Sequence, residues 1–306
     1  MKLGLILFLI IPFHSLFASE MDSITRRYES ISDSLLFFND HMNTKIAHII
    51  NKANEEDVCS LDTLDKWTRK TLTARVDKVF IFSPLQLIAD KSNKIDKLHI
   101  KFKDSIYKYV SFLESPVLQT FPLAPLISLN GHLIGSDKFS HFLNLGYEYF
   151  WRMQKGDDLE NVLNYSKFLE KYFWGGISTG IISHADLVAN LQGLRFFGRF
   201  FSKGVDPLTG DDNSPRAYLD CRGNKWVQLR EFDFSEYVDQ GWDEGQNCNA
   251  YRTKRITRKV KRAIKELERR SGKNYSCPIV PTTCKALKIK YSNVMKLILS
   301  PECLGS

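Results

Sequence analysis

Residues 135–150 read GSDKFSHFLNLGYEYF. Phe139, Phe142, Leu143, Leu145 and Tyr149 recur at helical spacing, so the stretch predicts a helix with a broad apolar surface. An aspartate, a histidine and a glutamate interrupt it. Asp137 and His141 are four apart and share one face, and Glu148, seven beyond His141, returns to that face after about two turns. Lys138 stands beside Asp137 on the neighbouring face, and Gly146 lets another helix approach closely. A second segment, SHADLVANLQGLRFF at 183–197, is built alike. Ser183 can cap it, with Asp186 as the acidic partner of a capping box. Asp186, Asn190 and Gly193 continue the same face, while His184 is expected to lie exposed at the first turn. Buried polar groups need partners, so the two stripes are expected to face each other.

Three kinds of chemistry fit such a pair. Asp137, His141 and Asp186 can converge on a divalent metal, with Glu148 as base or fourth ligand; imidazole plus carboxylates suits zinc or manganese. Alternatively, Asp137 orients His141 as a general base, and Asp186 and Glu148 complete a catalytic site. The third reading is a hydrogen-bond network that sets the register of two helices, with Lys138, Ser183 and Asn190 as members. A later element, WDEGQNC at 242–248, adds Asp243, Asn247 and, less readily, Glu244 if its loop folds back onto the helices. Trp242 would anchor that loop, and Glu244 is expected to stay in solvent. Asp206, Asp211 and Asp212 hint at calcium, but without the EF-hand spacing.

Outward from these stripes, the chain reads as mainly α: a helical domain with a small β-hairpin element and a disulfide-stapled C-terminal region. MKLGLILFLIIPFHSLFA, residues 1–18, has a lysine, a short apolar run and a small residue at its end, the pattern of a signal peptide with a mature chain starting near Ser19. No cysteine follows the apolar run to accept a lipid, and no later segment offers the roughly 20 apolar residues of a transmembrane helix. Residues 19–125 form an N-terminal helical region, in which Leu35, Phe38, Met42, Ile46, Ile49 and Ile50 mark one amphipathic helix and residues 83–114 predict one or two more. Residues 126–202 hold the polar-stripe helices, entered through a hairpin turning at Asn130-Gly131. Residues 203–306 are loop-rich, with a hairpin signal at Gly223-Asn224 and a helical stretch near 285–299.

The six cysteines all lie outside the leader, five of them in the last third, and an even number in an exported chain implies disulfides. Cys221–Cys248 is the expected pair, with one further bridge among Cys277, Cys284 and Cys303.

The pattern Asp137-Lys138-Phe139-Ser140-His141-Phe142, then Ser183, Ala185, Asp186, Leu187, Ala189, Asn190 and Gly193, then Trp242-Asp243-Glu244 with Asn247-Cys248, resembles a group of uncharacterised exported bacterial proteins. Over 136–195 it is also similar, more distantly, to VanZ-like proteins and to small periplasmic lipoproteins. The resemblance implies a cell-envelope setting and a shared polar constellation. VanZ-like members are embedded in the membrane, whereas this chain lacks spanning segments.

Residues 251–271, YRTKRITRKVKRAIKELERRS, carry ten Lys and Arg against two Glu, an excess equal to the formal net charge of +8 of the whole chain. Ile256, Val260, Ile264 and Leu267 form a narrow apolar stripe, so a basic amphipathic helix is expected. It can dock by that stripe, or lie on an anionic membrane surface or envelope polymer. Nucleic acid is not expected, because Tyr251 is the one base-stacking group near the patch and export argues against it. No G-x-S-x-G, Walker or dinucleotide motif is present. The sequence therefore favours a periplasmic envelope protein with a structural or ligand-binding polar site, and sets against it a metal-assisted or His/Asp hydrolase of an envelope lipid or phosphoester.

Overall fold

In a computed structural model, two helical runs cross at the centre of the molecule. The structure describes residues 20–305 other than 57, 74, 77, 78, 81 and 177, so the signal peptide expected at 1–18 lies outside the described residues. The first run joins a short turn Lys138–Ser140, a π-helical segment His141–Leu145 and an α-helix Gly146–Gln154. The second is the α-helix His184–Phe200, every residue of which is buried. They touch backbone to backbone: a Cβ on Gly146 would stand 2.5 Å from the Gly193 Cα, and one on Gly193 would stand 1.9 Å from the Phe142 carbonyl oxygen. Gly193→Ala is therefore expected to cost about 2–3 kcal/mol, since a methyl here can only be accommodated by separating the helices. A denaturant midpoint equal to wild type would show that the crossing is not tightly packed.

Around the pair the fold is mainly helical, as the sequence predicts, and the sheets among the described residues are small, two-stranded and antiparallel. Helix Leu35–Glu55 buries Phe38, Met42, Ile46, Ile49 and Ile50 of the periodic set read from the sequence, while Leu35 at its start is half-buried. The hairpin Leu126–Leu129/His132–Gly135 turns through Asn130 (φ 54°) and Gly131 (φ 73°). A second, Leu219–Arg222/Lys225–Gln228, turns through Gly223 (φ 55°) and Asn224 (φ 62°). Both pairs of dihedrals are the left-handed ones that two-residue hairpins require. Phe142 sits in an aromatic core with Phe196, Phe232, Phe234, Tyr237 and Trp242, so Trp242 does anchor its loop.

Residues 83–114 depart from expectation. Only Pro84–Lys91 is α-helical. The Lys97 ammonium donates to the carbonyls of Ala89 and Asp90 and closes the helix end, and Leu98 then pairs with Leu126 as extended chain. Further on, the buried Asp22 carboxylate accepts from the Ile106 amide, holding the following turns to the N-terminal segment.

Three disulfides join Cys59 to Cys221, Cys248 to Cys277 and Cys284 to Cys303. The bridge within the C-terminal three is present, but the expected Cys221–Cys248 pair is not. The hairpin of Cys221 lies on the first helix, where Asn54 exchanges hydrogen bonds with the Trp226 backbone at 2.8 and 2.9 Å. That contact carries Cys221 to Cys59, 162 residues away in sequence.

Candidate functional site

The polar stripes meet, and Lys138 is their centre. Its ammonium, with no solvent exposure, lies 2.8 Å from Asp137 Oδ2, 2.6 Å from Asp186 Oδ1 and 2.8 Å from Glu244 Oε1. All three contacts are ion pairs, and those to Asp137 and Glu244 are also hydrogen bonds donated by the ammonium. The other Asp186 oxygen, Oδ2, is 3.0 Å from His141 Nε2, and His141 Nδ1 is 3.1 Å from Asn190 Oδ1. Both ring nitrogens thus face acceptors, the arrangement that suits an imidazolium, which donates from both. Asn190 in turn donates to Ser166 Oγ at 3.1 Å. Ser183 Oγ caps its helix by accepting from the Asp186 amide at 3.2 Å, and donates to Glu244 Oε1 at 2.9 Å. The capping-box role expected of Asp186 falls to Glu170, whose carboxylate accepts from the Ser183 amide at 2.9 Å.

The structure thus brings together Asp137, Lys138, His141, Ser183, Asp186 and Asn190. Glu148 stands apart, half-buried on Gly146–Gln154. The π-helical turns between His141 and Leu145 take more residues than α turns, so a spacing of seven no longer returns to the same face. Glu170 takes the place expected of Glu148. It lies four residues after Ser166, so the pair forms a third polar stripe that helical spacing makes legible.

The loop residues exchange roles. Asp243 is held by the Arg27 guanidinium at 2.8 and 2.5 Å, and Asn247 accepts from the Ser300 amide, fastening the C-terminal segment. Glu244, expected in solvent, is the loop acid that reaches Lys138, and its second oxygen accepts from Asn249 at 2.6 Å. Glu20 is buried near the same group and accepts from Thr179; nothing in the sequence marks it. His184 is also buried, its Nδ1 2.8 Å from the Cys248 carbonyl oxygen, and burial lowers its pKa to about 4. Asp206 is bound by Arg195 and Arg199, which leaves it no open side for calcium.

Five buried acids surround two cations, and their titration reflects that imbalance. Burial works against the charged form of His141, but the adjoining Asp186 outweighs it and lifts the pKa to about 9. Asp186 shows the mirror image: burial would raise it, yet His141 and Lys138 hold it below the usual carboxylate range. Glu170 and Glu244 are pushed up by burial, to about 8 and about 7, with Asp186 adding repulsion in both cases. Glu20 rises for the same reasons, burial first and then the fields of Glu244, Glu170 and Asp186. Near neutrality, protons held by these acids bring the group towards charge balance.

A pH prediction follows. Glu170, Glu244 and His141 all have folded pKa values above their unfolded ones. Their contributions are complete below the unfolded values and are lost as pH rises through about 7 to 9. Asp186 acts oppositely, but only in strong acid. Stability is therefore expected to fall by about 2 kcal/mol or more between about pH 6 and about pH 9. Urea unfolding across that range checks it, and a flat profile would contradict the protonation pattern.

Asp137, His141 and Asp186 each offer a ligand atom within 4.8 Å of the others, so the group could hold a metal ion. Asp137 Oδ1 is buried with no hydrogen-bond partner among the described residues and would supply one such atom. Against this, the Lys138 ammonium already stands among the carboxylates, and a ligating imidazole must first give up a proton. Compared with known proteins, the chain matches no family model, and no curated protein or solved structure gives a significant match.

Proposed function

We propose that this is an exported cell-envelope protein whose Lys138-centred group is an internal lock with a ligand-facing end, rather than a catalytic centre. The observation that carries the reading is the fully buried ammonium contacting acids from both helical runs and from the 242–248 loop. A cation so placed fixes three chain segments relative to one another, because parting any of them strands a buried charge. The ligand-facing end is Glu244, which lines a cavity of about 600 Å³ together with Tyr107, Tyr251, Lys261 and Lys265. A small ligand in that cavity would sense the lock through Glu244. Three disulfides accord with export, and no described helix is long and apolar enough to cross a membrane.

The second reading is a zinc or manganese site on Asp137, His141 and Asp186 serving hydrolysis of an envelope lipid or phosphoester. It is favoured by the unpaired Asp137 Oδ1 beside the two other donors. Elemental analysis of the purified protein, wild type beside His141→Ala, separates the two. The lock predicts no stoichiometric transition metal in either protein, with the variant less stable. Stoichiometric zinc or manganese in wild type, lost in the variant, would replace the lock by the metal site.

A further inference from the structure

The basic helix docks by its apolar stripe. Ile256, Val260 and Ala263 are buried against a second core cluster that includes Ile24, Ile106 and Ile181. Its two acids are occupied: Glu266 pairs with Lys108 at 2.9 Å and Arg262 at 3.2 Å, and Glu268 accepts from the Tyr275 amide and the Ser276 hydroxyl. Lys254, Arg258 and Arg269 are exposed. The outer face therefore keeps a dense positive charge.

Against the start of this helix stands a turn that breaks the rule for exposed residues. Phe112 is 54% exposed and Leu113 91% exposed, at the tip of Ser111–Glu114. The turn is rigidly made. The Glu114 amide donates to the Ser111 carbonyl at 3.0 Å, and Glu114 Oε2 accepts from both the Ser111 amide and hydroxyl. It is fastened to the basic helix through Glu114, which pairs with Arg255 at 3.0 Å and Lys259 at 2.5 Å, while Arg252 donates to the Glu114 carbonyl at 2.6 Å. An aromatic and a leucine are thus held outward on a pinned turn, with cationic groups at its base.

We propose that this face is a membrane-docking surface for anionic phospholipid, with Phe112 and Leu113 entering the headgroup–acyl boundary and the helix 254–271 lying over the headgroups. Charge complementarity selects an anionic partner. The apolar tip selects lipid over a hydrated polyanion, because burying Phe and Leu gains free energy only where acyl chains begin. The inference goes beyond the lock, and either can fail without the other.

The test uses the purified mature protein with vesicles of phosphatidylcholine alone or mixed with phosphatidylglycerol. Wild type is expected to co-sediment with the anionic vesicles, less so as salt rises, and not with phosphatidylcholine. Leu113→Asp should bind about tenfold or more weakly while keeping wild-type circular dichroism, since this side chain supports no packing. Lys254→Glu with Arg258→Glu should also lose binding. Phe112→Trp supplies a direct reading of insertion: its emission should move to the blue on adding anionic vesicles. Absence of wild-type binding, or no emission shift, would overturn the proposal. So would equal vesicle binding by Leu113→Asp with equally tight binding to polyphosphate, which would identify a polymer-binding charge surface.

Discussion

Lys138→Met is expected to destabilise the protein by about 3–5 kcal/mol at neutral pH, the usual cost of breaking a buried ion pair from one side. The shape of the side chain is nearly kept, so the loss is electrostatic. Asp137, Asp186 and Glu244 are left facing one another without the ammonium that each contacts within 2.8 Å. The folded pKa values of Asp137 and Glu244 should then rise further above the unfolded ones, and Asp186 loses one of the two cations that hold it down. A contribution of that sign is retained below the unfolded value and lost as pH rises, so the variant should regain stability towards about pH 5 and be worst near about pH 8. Urea midpoints at both ends of the range measure this. A variant within about 1 kcal/mol of wild type at neutral pH would mean that the three acids hold protons already, and that Lys138 is no lock.

Removal of the Cys59–Cys221 bridge carries the other large effect. Its loop closes over a sequence separation of 162, against 29 for Cys248–Cys277 and 19 for Cys284–Cys303. Loop-closure entropy of the unfolded chain gives about 5 kcal/mol for the first and about 3 kcal/mol for the last. Cys59→Ser with Cys221→Ser should therefore lower the denaturant midpoint more than Cys284→Ser with Cys303→Ser. The reverse order would show that packing around the C-terminal helices outweighs the chain-entropy difference. Cys284 and Cys303 are both fully buried, which makes the comparison a demanding one.

Much of the site is legible in the sequence alone. Asp137, His141, Asp186 and Asn190 are found together because four-residue spacing on a helix puts groups on one face whatever the surroundings, and a buried polar stripe needs a facing partner. Gly146 and Gly193 mark where the two faces meet. The hairpins are equally local: Asn130-Gly131 and Gly223-Asn224 accept left-handed dihedrals that other pairs resist. Glu148 is displaced from the stripe by a local irregularity, the π-helical segment at 141–145, which leaves no mark in a periodicity count.

The hidden features are non-local. Lys138 reads as a neighbour of the stripe, yet three acids from separate parts of the chain make it the hub. Glu244 and Asp243 are adjacent acids with nothing local to rank them; Arg27 claims one and Lys138 the other. Cys59 is the partner of Cys221 only because a hairpin packs on the first helix. The sequence by itself determined most of the helices, the hairpin turns, the facing polar stripes and the basic face, since these follow from interactions within a few residues. Tertiary structure alone decided which charge meets which. Coulomb pairing in a buried site depends on distances of a few ångströms between segments, and only the packed core sets those distances.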